Sequence, residues 1–303
     1  MQAVVFEEFG GPEVLRTEDV SEPHAGPGEV RVKVRAAGVN PMDFKIRRGW
    51  VQGFIDTTFP ATPGVEVAGV VDEVGEGADF AIGDEIVGWS KTGSYAEHAV
   101  VGNVVAKPAG VPWEQAVGLP VAGETAQRVL DELQLKSGET LLVHGAAGGV
   151  GSIAVQLAKA AGATVIGTAS PANHEFLREI GAIPVAYGEG LVDRVREAAP
   201  QGIDAVFDVA GYGGLQESIE LRGGTDRIVT IADMQAGKLG VAVSGGGTTA
   251  PEDVRTGLTN QLQAVAGGRL RVRIAETFPL TEAAKAQELS ESGHARGKLV
   301  VLP

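Results

Sequence analysis

The chain has 303 residues, which suggests two domains, and its 44% hydrophobic and 21% charged residues are typical of a globular protein. A formal net charge of −14 disfavours nucleic acids and anionic membranes as partners, and the lack of cysteine excludes disulfides and thiolate chemistry. No basic segment precedes a long apolar stretch at the start, and no apolar run approaches the ~20 residues of a membrane span, so we expect a cytoplasmic protein.

Short strand patterns separated by turns fill roughly the first 110 residues. Residues 30–34 alternate apolar and polar side chains with period two, as a half-buried strand does. Similar patterns occupy residues 65–74, 85–89 and 96–101, and glycine and proline turns separate them. This part of the chain is therefore predicted to be β-rich.

Strands and helices alternate from about residue 112 onward. The predicted helices are 113–135, which Pro120 and Gly123 interrupt, 152–161, 173–181 and 191–199. The predicted strands are 140–144, 163–168, 184–187, 205–209 and 227–231. Such alternation indicates a doubly wound parallel sheet of the Rossmann type.

The C-terminal residues return to a β pattern. We predict a strand at 270–274, a helix at 281–292 capped by Thr281, and a closing strand at 298–302. The predicted α/β protein thus has a β-rich catalytic domain, residues 1–118 and 270–303, and an inserted dinucleotide-binding domain, residues 119–269.

A glycine-rich turn lies between a predicted strand and a predicted helix in LLVHGAAGGVGSIAVQLA, residues 141–158. It fits the dinucleotide fingerprint G-x-G-x-x-G, with Ala146 in place of the first glycine. Gly148 would let the backbone approach a pyrophosphate, and Gly151 would let helix and strand pack closely. The alternative is a tight structural turn that binds nothing.

The end of the second predicted strand bears on the choice between NAD and NADP. NAD-binding domains carry a carboxylate there for the ribose 2′-hydroxyl. Here the strand ends in Thr168, Ala169 and Ser170, and Asn173 and His174 follow. The missing carboxylate favours NADP(H), although no lysine or arginine stands at the strand end.

The chain resembles the zinc-free medium-chain reductases, namely quinone oxidoreductases of the zeta-crystallin type and plant enone oxidoreductases. The resemblance covers nearly the whole chain, and its motifs are AGVNPMD (37–43), PGVEVAG (63–69), GDEIVG (83–88), the glycine-rich turn and RGKLV (296–300). It implies a GroES-like catalytic domain. Zinc-dependent relatives have cysteine where Asn40 stands and histidine where Val65 stands, so no metal is expected.

The resemblance also implies cofactor contacts. Tyr187 stands where the family often has a tyrosine that reaches the 2′-phosphate, although a strand-end aromatic that only packs is the alternative. Asn173 stands where quinone oxidoreductases often have a lysine. The candidate NADP(H)-binding residues are Thr125, Gly148, Gly149, Val150, Gly151, Ser170, Asn173, His174, Tyr187, Ala210 and Ile231.

Reduction of an enone places negative charge on an oxygen, which needs a hydrogen-bond donor. Asn40 and Lys45 are the catalytic candidates; otherwise Asn40 is a turn residue and Lys45 a solvated lysine. Asp43, Trp50 and Tyr95 are assigned to the substrate pocket. For Asp43 we favour shaping of the loop by hydrogen bonds, and Trp50 could instead belong to the core.

We therefore expect an NADPH-dependent reductase of quinones or α,β-unsaturated carbonyl compounds, with a small-molecule substrate. An enoyl-thioester reductase is the second hypothesis, for which Lys45, Arg47 and Arg48 would be the basic entry patch. A cofactor-binding structural or regulatory protein is the third. The family tends to form dimers through the edge of the cofactor-domain sheet, so a homodimer is expected.

Overall fold

The computed structural model describes residues 1–303, which divide into two compact units. The first contains Met1–Val121 and Arg255–Pro303, and the second contains Ala122–Val254. The second boundary falls earlier than the predicted one at 269/270. It lies inside a long helix, Pro251–Ala266, for which the sequence analysis predicted no element.

The chain contains fourteen strands and ten α-helices. The strands are β1 (Gln2–Val5), β2 (Arg16–Asp19), β3 (Val30–Val39), β4 (Glu66–Val74), β5 (Glu85–Ser90), β6 (His98–Ala106), β7 (Thr140–His144), β8 (Thr164–Thr168), β9 (Ile183–Val185), β10 (Ala205–Asp208), β11 (Ile228–Thr230), β12 (Ala242–Val243), β13 (Ile274–Pro279) and β14 (Lys298–Leu302). The helices are α1 (Pro41–Arg47), α2 (Trp113–Val117), α3 (Pro120–Glu132), α4 (Gly149–Ala160), α5 (His174–Glu179), α6 (Leu191–Ala198), α7 (Leu215–Arg222), α8 (Ala236–Leu239), α9 (Pro251–Ala266) and α10 (Ala283–Glu291). No helix combines the length and the hydropathy that a bilayer crossing requires.

The first unit, here called the catalytic domain, is built on a curved six-stranded sheet. Its strand order is β13-β14-β3-β4-β5-β6, and β3 also pairs with β6, so four of the strands close on themselves. Val30, Val32 and Val34 of β3 are buried while the residues between them are more exposed, which is the predicted alternation. The C-terminal strand β14 pairs with β3 and thereby joins the C-terminal segment of this domain to its N-terminal segment.

The second unit, here called the cofactor domain, contains a six-stranded parallel sheet. Its strand order is β9-β8-β7-β10-β11-β12. This is the doubly wound arrangement: β8 and β9 are added on one side of the central strand β7, and β10 to β12 on its other side. In such sheets ligands bind at the carboxyl ends of the strands, where the order reverses. That point lies between β7 and β10, and the arrangement confirms the predicted fold class.

Two predictions near the C-terminus are wrong. Residues 270–273 are not a strand: Leu270 lies at a bend, and although Leu270 and Val272 are buried, strand pairing starts only at Ile274. Thr281 does not cap a helix: it lies in a 3-10 turn, Leu280–Glu282, and α10 starts only at Ala283.

Candidate cofactor and substrate sites

The glycine-rich turn connects β7 to α4. Its glycines differ in whether a side chain at that position would collide with the rest of the protein. A Cβ on Gly151 would lie 2.3 Å from the carbonyl oxygen of Gly145, so packing of the turn itself requires glycine there. A Cβ on Gly149 would meet no protein atom within 4 Å, and one on Gly148 would meet only the Gly145 oxygen at 3.4 Å. The bare backbone at Gly148 and Gly149 is therefore not needed for packing, and it leaves room for a ligand such as a pyrophosphate.

Other candidate cofactor residues lie at the same edge of the parallel sheet. Ala210 follows β10, and its N–H donates to the Asp208 carboxylate at 3.1 Å. A Cβ on Gly145 would lie 3.3 Å from Ala210, so the loop after β10 packs against the glycine-rich turn. Ile231 directly follows β11, and Val150 lies in the first turn of α4. Thr125 lies in α3 and is buried.

The candidates for a 2′-phosphate site follow β8 and β9. Asn173 donates from its side-chain amide to the Ser170 hydroxyl at 3.2 Å, and a ring nitrogen of His174 lies 3.2 Å from the Ala169 carbonyl oxygen. These contacts fold the loop after β8 onto itself. Tyr187 is 63% exposed, so the alternative that it is a packed aromatic does not hold in this structure.

Asn40 lies in a buried cluster with an ion pair. Its side-chain amide donates from Nδ2 to Glu66 Oε1 at 2.8 Å, and its Oδ1 accepts from Lys298 Nζ at 2.8 Å. Glu66 and Lys298 are themselves paired, and the three residues are only 5%, 0% and 4% exposed. The second carboxylate oxygen of Glu66 accepts the N–H of Val121 at 2.9 Å. The orientation of the Asn40 amide is thus fixed on both sides.

Asp43 and Tyr95 lie behind Asn40. Asp43 Oδ2 accepts the backbone N–H of Asn40 at 2.8 Å and the Tyr95 hydroxyl at 3.1 Å. Burial raises the pKa of the Asp43 carboxyl to about 7, and burial also raises the pKa of Tyr95 well above its usual value. Both residues are assigned to the substrate pocket in the sequence analysis, but neither presents surface to a ligand here. Asp43 instead shapes the loop at the start of α1.

Trp50 is exposed and Lys45 is half-buried. Trp50 is 64% exposed and contacts Phe44 edge-on, with ring centroids 6.1 Å apart, so it is not a core residue. Lys45 lies on α1, and its ammonium makes no ion pair.

The basic patch predicted at Lys45, Arg47 and Arg48 does not exist as a free surface. Arg47 is fully buried, and its guanidinium donates to Glu291 at 2.7 Å. Arg48 donates to the other oxygen of the same carboxylate at 2.8 Å. Only Lys45 of the three is left without a carboxylate partner.

Glu66 and Lys298 are the site residues that the sequence analysis missed. Both stand in motifs quoted for the family resemblance, PGVEVAG and RGKLV. A charged residue inside an otherwise apolar strand pattern is a signal that could have found each of them, because a buried charge needs a partner. No group of three or more His, Cys, Asp or Glu side chains is close enough to hold a metal ion.

Comparison with known proteins agrees with this geometry. Residues 26–165 match the alcohol dehydrogenase GroES-like domain, and residues 180–301 match the family described as zinc-binding dehydrogenase. The chain is 34% identical over its full length to an NADPH-dependent alkenal/one oxidoreductase of Arabidopsis thaliana, of which it covers 80%. It is 32% identical to the quinone oxidoreductase of Lama guanicoe, of which it covers 97%.

A solved structure also matches over its whole length. The quinone oxidoreductase of Escherichia coli, solved as a complex with NADPH, superposes with a TM-score of 0.89, 28% identity and full coverage of both chains. The fold and the site define a medium-chain dehydrogenase/reductase. Within that superfamily, the chain belongs to the family of quinone oxidoreductases and enone oxidoreductases.

Proposed function

We propose that this protein is an NADPH-dependent reductase that transfers hydride to quinones or α,β-unsaturated carbonyl compounds. The observation that carries the proposal is the bare backbone at Gly148 and Gly149, where a side chain would meet almost no protein atom. Glycines that packing does not require, placed at the N-terminus of a helix after a parallel strand, fit a dinucleotide. The alkenal/one and quinone oxidoreductases to which the chain is similar support the same substrate class.

Several residues of the cofactor domain would hold NADPH. The turn from Gly148 to Gly151 and Val150 would contact the pyrophosphate, and Ser170 and Tyr187 would lie near the 2′-phosphate. Thr125, Ala210 and Ile231 are proposed contacts toward the nicotinamide half. When bound, the dihydronicotinamide supplies the hydride, and the protein positions both reactants.

Asn40 is the proposed hydrogen-bond donor for the substrate oxygen. An amide NH2 group has two hydrogens, and Glu66 takes one of them, so the other remains for a ligand. Lys298 holds the amide oxygen and thereby prevents the amide from flipping. Glu66 and Lys298 are therefore positioning residues, because together they hold both ends of the amide that carries the free N–H.

Lys45 is the second proposed donor. Its ammonium is not neutralised by a carboxylate, unlike the guanidinium groups of Arg47 and Arg48. An unpaired ammonium is free to hydrogen-bond the nicotinamide ribose or the oxygen that gains charge during reduction. Exposed Trp50 would wall the substrate.

The other hypotheses lose support. An enoyl-thioester reductase would want a basic patch for its anionic carrier, and two of the three residues expected to form it are committed to Glu291. A structural protein without turnover would not need the buried ion pair that orients Asn40, because replacement of such pairs by apolar residues is often neutral or stabilising.

Steady-state assays with NADPH and a panel of quinones and enones test the proposed function. We expect oxidation of NADPH that depends on the acceptor, and no such oxidation with any acceptor would contradict the proposal. Lys298→Met should lower kcat by more than about tenfold, because it releases the amide of Asn40, the proposed donor to the oxygen that gains charge. Because Lys298 contacts Asn40 and Glu66 and none of the residues proposed to hold NADPH, the Kd for NADPH should stay unchanged.

We also propose a cytoplasmic homodimer that forms through the edge strand β12. This strand pairs with β11 on one side only, and Val243 at its end is 62% exposed. Unpaired edge strands readily pair with a second chain. Light scattering after gel filtration would give the mass, and Val243→Lys should shift a dimer to a monomer.

A further inference from the structure

Arg194, in the first turn of α6, folds back onto the loop of residues 186–190 that follows β9. It donates only to backbone carbonyl oxygens: Nε to that of Ala186 at 3.0 Å, Nη1 to that of Glu189 at 2.8 Å and Nη2 to that of Gly188 at 3.2 Å. The loop thus wraps one guanidinium, and that guanidinium fixes its shape.

This loop also presents Tyr187, and it lies beside the loop that follows β8. Strands β8 and β9 run parallel, and the N–H of Ala169 donates to the Val185 carbonyl oxygen at 3.1 Å just past their ends. Ser170 and Tyr187 consequently follow neighbouring strand ends. In dinucleotide-binding domains, the end of the second strand holds the 2′ position of the adenosine ribose.

Arg194 keeps its charge at this edge of the sheet. Its hydrogen-bond partners are neutral backbone carbonyl groups, including that of Tyr187, which accepts from Nη2 at 3.4 Å, and it makes no ion pair with a carboxylate. A guanidinium has five N–H donors, and one on Nη1 remains after these bonds. The charge is therefore available to an incoming anion.

The neighbouring helices offer no other cation at the same edge. Lys159 and Arg178 lie in the last turns of α4 and α5, and these helices start at the carboxyl edge of the sheet and run away from it. The net charge of the whole protein is −14, so its general field opposes a phosphate dianion. A 2′-phosphate at this edge needs a local positive charge.

We propose that Arg194 makes the protein selective for NADPH over NADH, by supplying the positive charge for the 2′-phosphate and by holding Tyr187 next to it. The proposal rests on the proposed function, because it assumes that the glycine-rich turn binds a nicotinamide dinucleotide. Arginine near the end of the second strand is a known physical solution for binding a 2′-phosphate. Here it comes from the helix after the third strand of the domain.

The test compares Arg194→Gln with Arg196→Gln. Arg196 lies two residues along the same helix and pairs with Glu220 at 2.8 Å on the surface, so its variant removes the same charge from the same element. Dissociation constants for NADPH and NADH are measured by nicotinamide fluorescence. A charge-assisted contact is worth about tenfold or more, so Arg194→Gln should weaken NADPH binding by at least that factor and leave NADH within about twofold. Arg196→Gln should change neither.

Salt and a lysine variant add readouts that loss of loop structure would not reproduce. The Kd of the wild-type protein for NADPH should rise with ionic strength more steeply than that of Arg194→Gln, because one phosphate contact is lost. Arg194→Lys, which keeps the charge, should fall between the wild type and Arg194→Gln.

The outcomes separate the two proposals. Equal weakening of NADPH and NADH in Arg194→Gln would mean that Arg194 only holds the loop, and no weakening of either would mean that it plays no part; both results overturn the inference. A wild-type protein that binds neither nucleotide would overturn the proposed function, and the inference with it. Selective loss of NADPH binding in Arg194→Gln alone supports the inference.

Discussion

The buried carboxyl of Asp43 makes a strong prediction about pH and stability. Its ordinary pKa is 3.8, and burial raises it to about 7 in the folded protein, where the negative charge of Glu66 acts in the same direction. The folded state therefore binds the proton more tightly than the unfolded state does. The contribution of Asp43 to the free energy of unfolding is constant below about pH 4, falls as the pH rises from about 4 to 7, and is constant again above that.

The size of this effect follows from the two pKa values. A difference of about three pH units corresponds to about 4 kcal/mol in the free energy of unfolding, of which about 3 kcal/mol is lost between pH 5 and pH 8. Asp43→Asn removes the titrating group and keeps an oxygen to accept the N–H of Asn40. The free energy of unfolding of the variant, relative to the wild type, should therefore rise by about 3 kcal/mol between pH 5 and pH 8.

Urea unfolding followed by tryptophan fluorescence measures this difference in the free energy of unfolding. The method reports on the right part of the protein, because Trp50, Trp89 and Trp113 all lie in the same compact unit as Asp43. Asp56→Asn is the matched control, since Asp56 is exposed in that unit and has no hydrogen bond. Its difference from the wild type should not change with pH. A difference between Asp43→Asn and wild type that is the same at pH 5 and pH 8 would mean that Asp43 is ionised throughout, and it would contradict the raised pKa.

Two further pairs of variants are informative. Gly149→Val should keep the melting temperature and lose NADPH binding. Gly151→Val should lower the melting temperature and also lose NADPH binding, because only this side chain meets the Gly145 carbonyl. Thermal scans and NADPH titration check this, and equal melting temperatures of the two variants would contradict it. Glu291→Ala should cost about 3 kcal/mol in urea unfolding because it leaves a buried guanidinium without its partner. Arg47→Met should cost less, because Nε and Nη1 of Arg47 already have no hydrogen bond; an equal or larger loss would contradict this.

The cofactor domain was predictable because its signals are local. Each parallel strand is a short apolar run, and the glycine-rich turn stands between a strand and a helix, so β7 was predicted with its observed bounds. The fold class and the candidate pyrophosphate loop follow from these patterns alone. Helix α9 escaped prediction because its hydrophobic stripe is weak: only three of its residues are buried, Leu258, Gln261 and Leu262, and one of them is polar.

The polar cluster around Asn40 was less predictable because its partners are distant in the chain. Glu66 and Lys298 lie 26 and 258 residues from Asn40, and only the pairing of β14 with β3 and of β3 with β4 brings them together. The sequence marked Asn40 by its motif but gave no sign that its amide is held on both sides. In the same way, the cation near the proposed 2′-phosphate site was sought at the end of β8, whereas Arg194 reaches this edge from α6.

Stoichiometric turnover with one enone or quinone tests NADPH-dependent reductase activity most directly. Purified protein is mixed with NADPH or NADH and the acceptor, and loss of the reduced nicotinamide is compared with formation of reduced product. We expect one product for each NADPH oxidised and much slower turnover with NADH. Tight NADPH binding without any acceptor-dependent oxidation, or faster turnover with NADH, would contradict it.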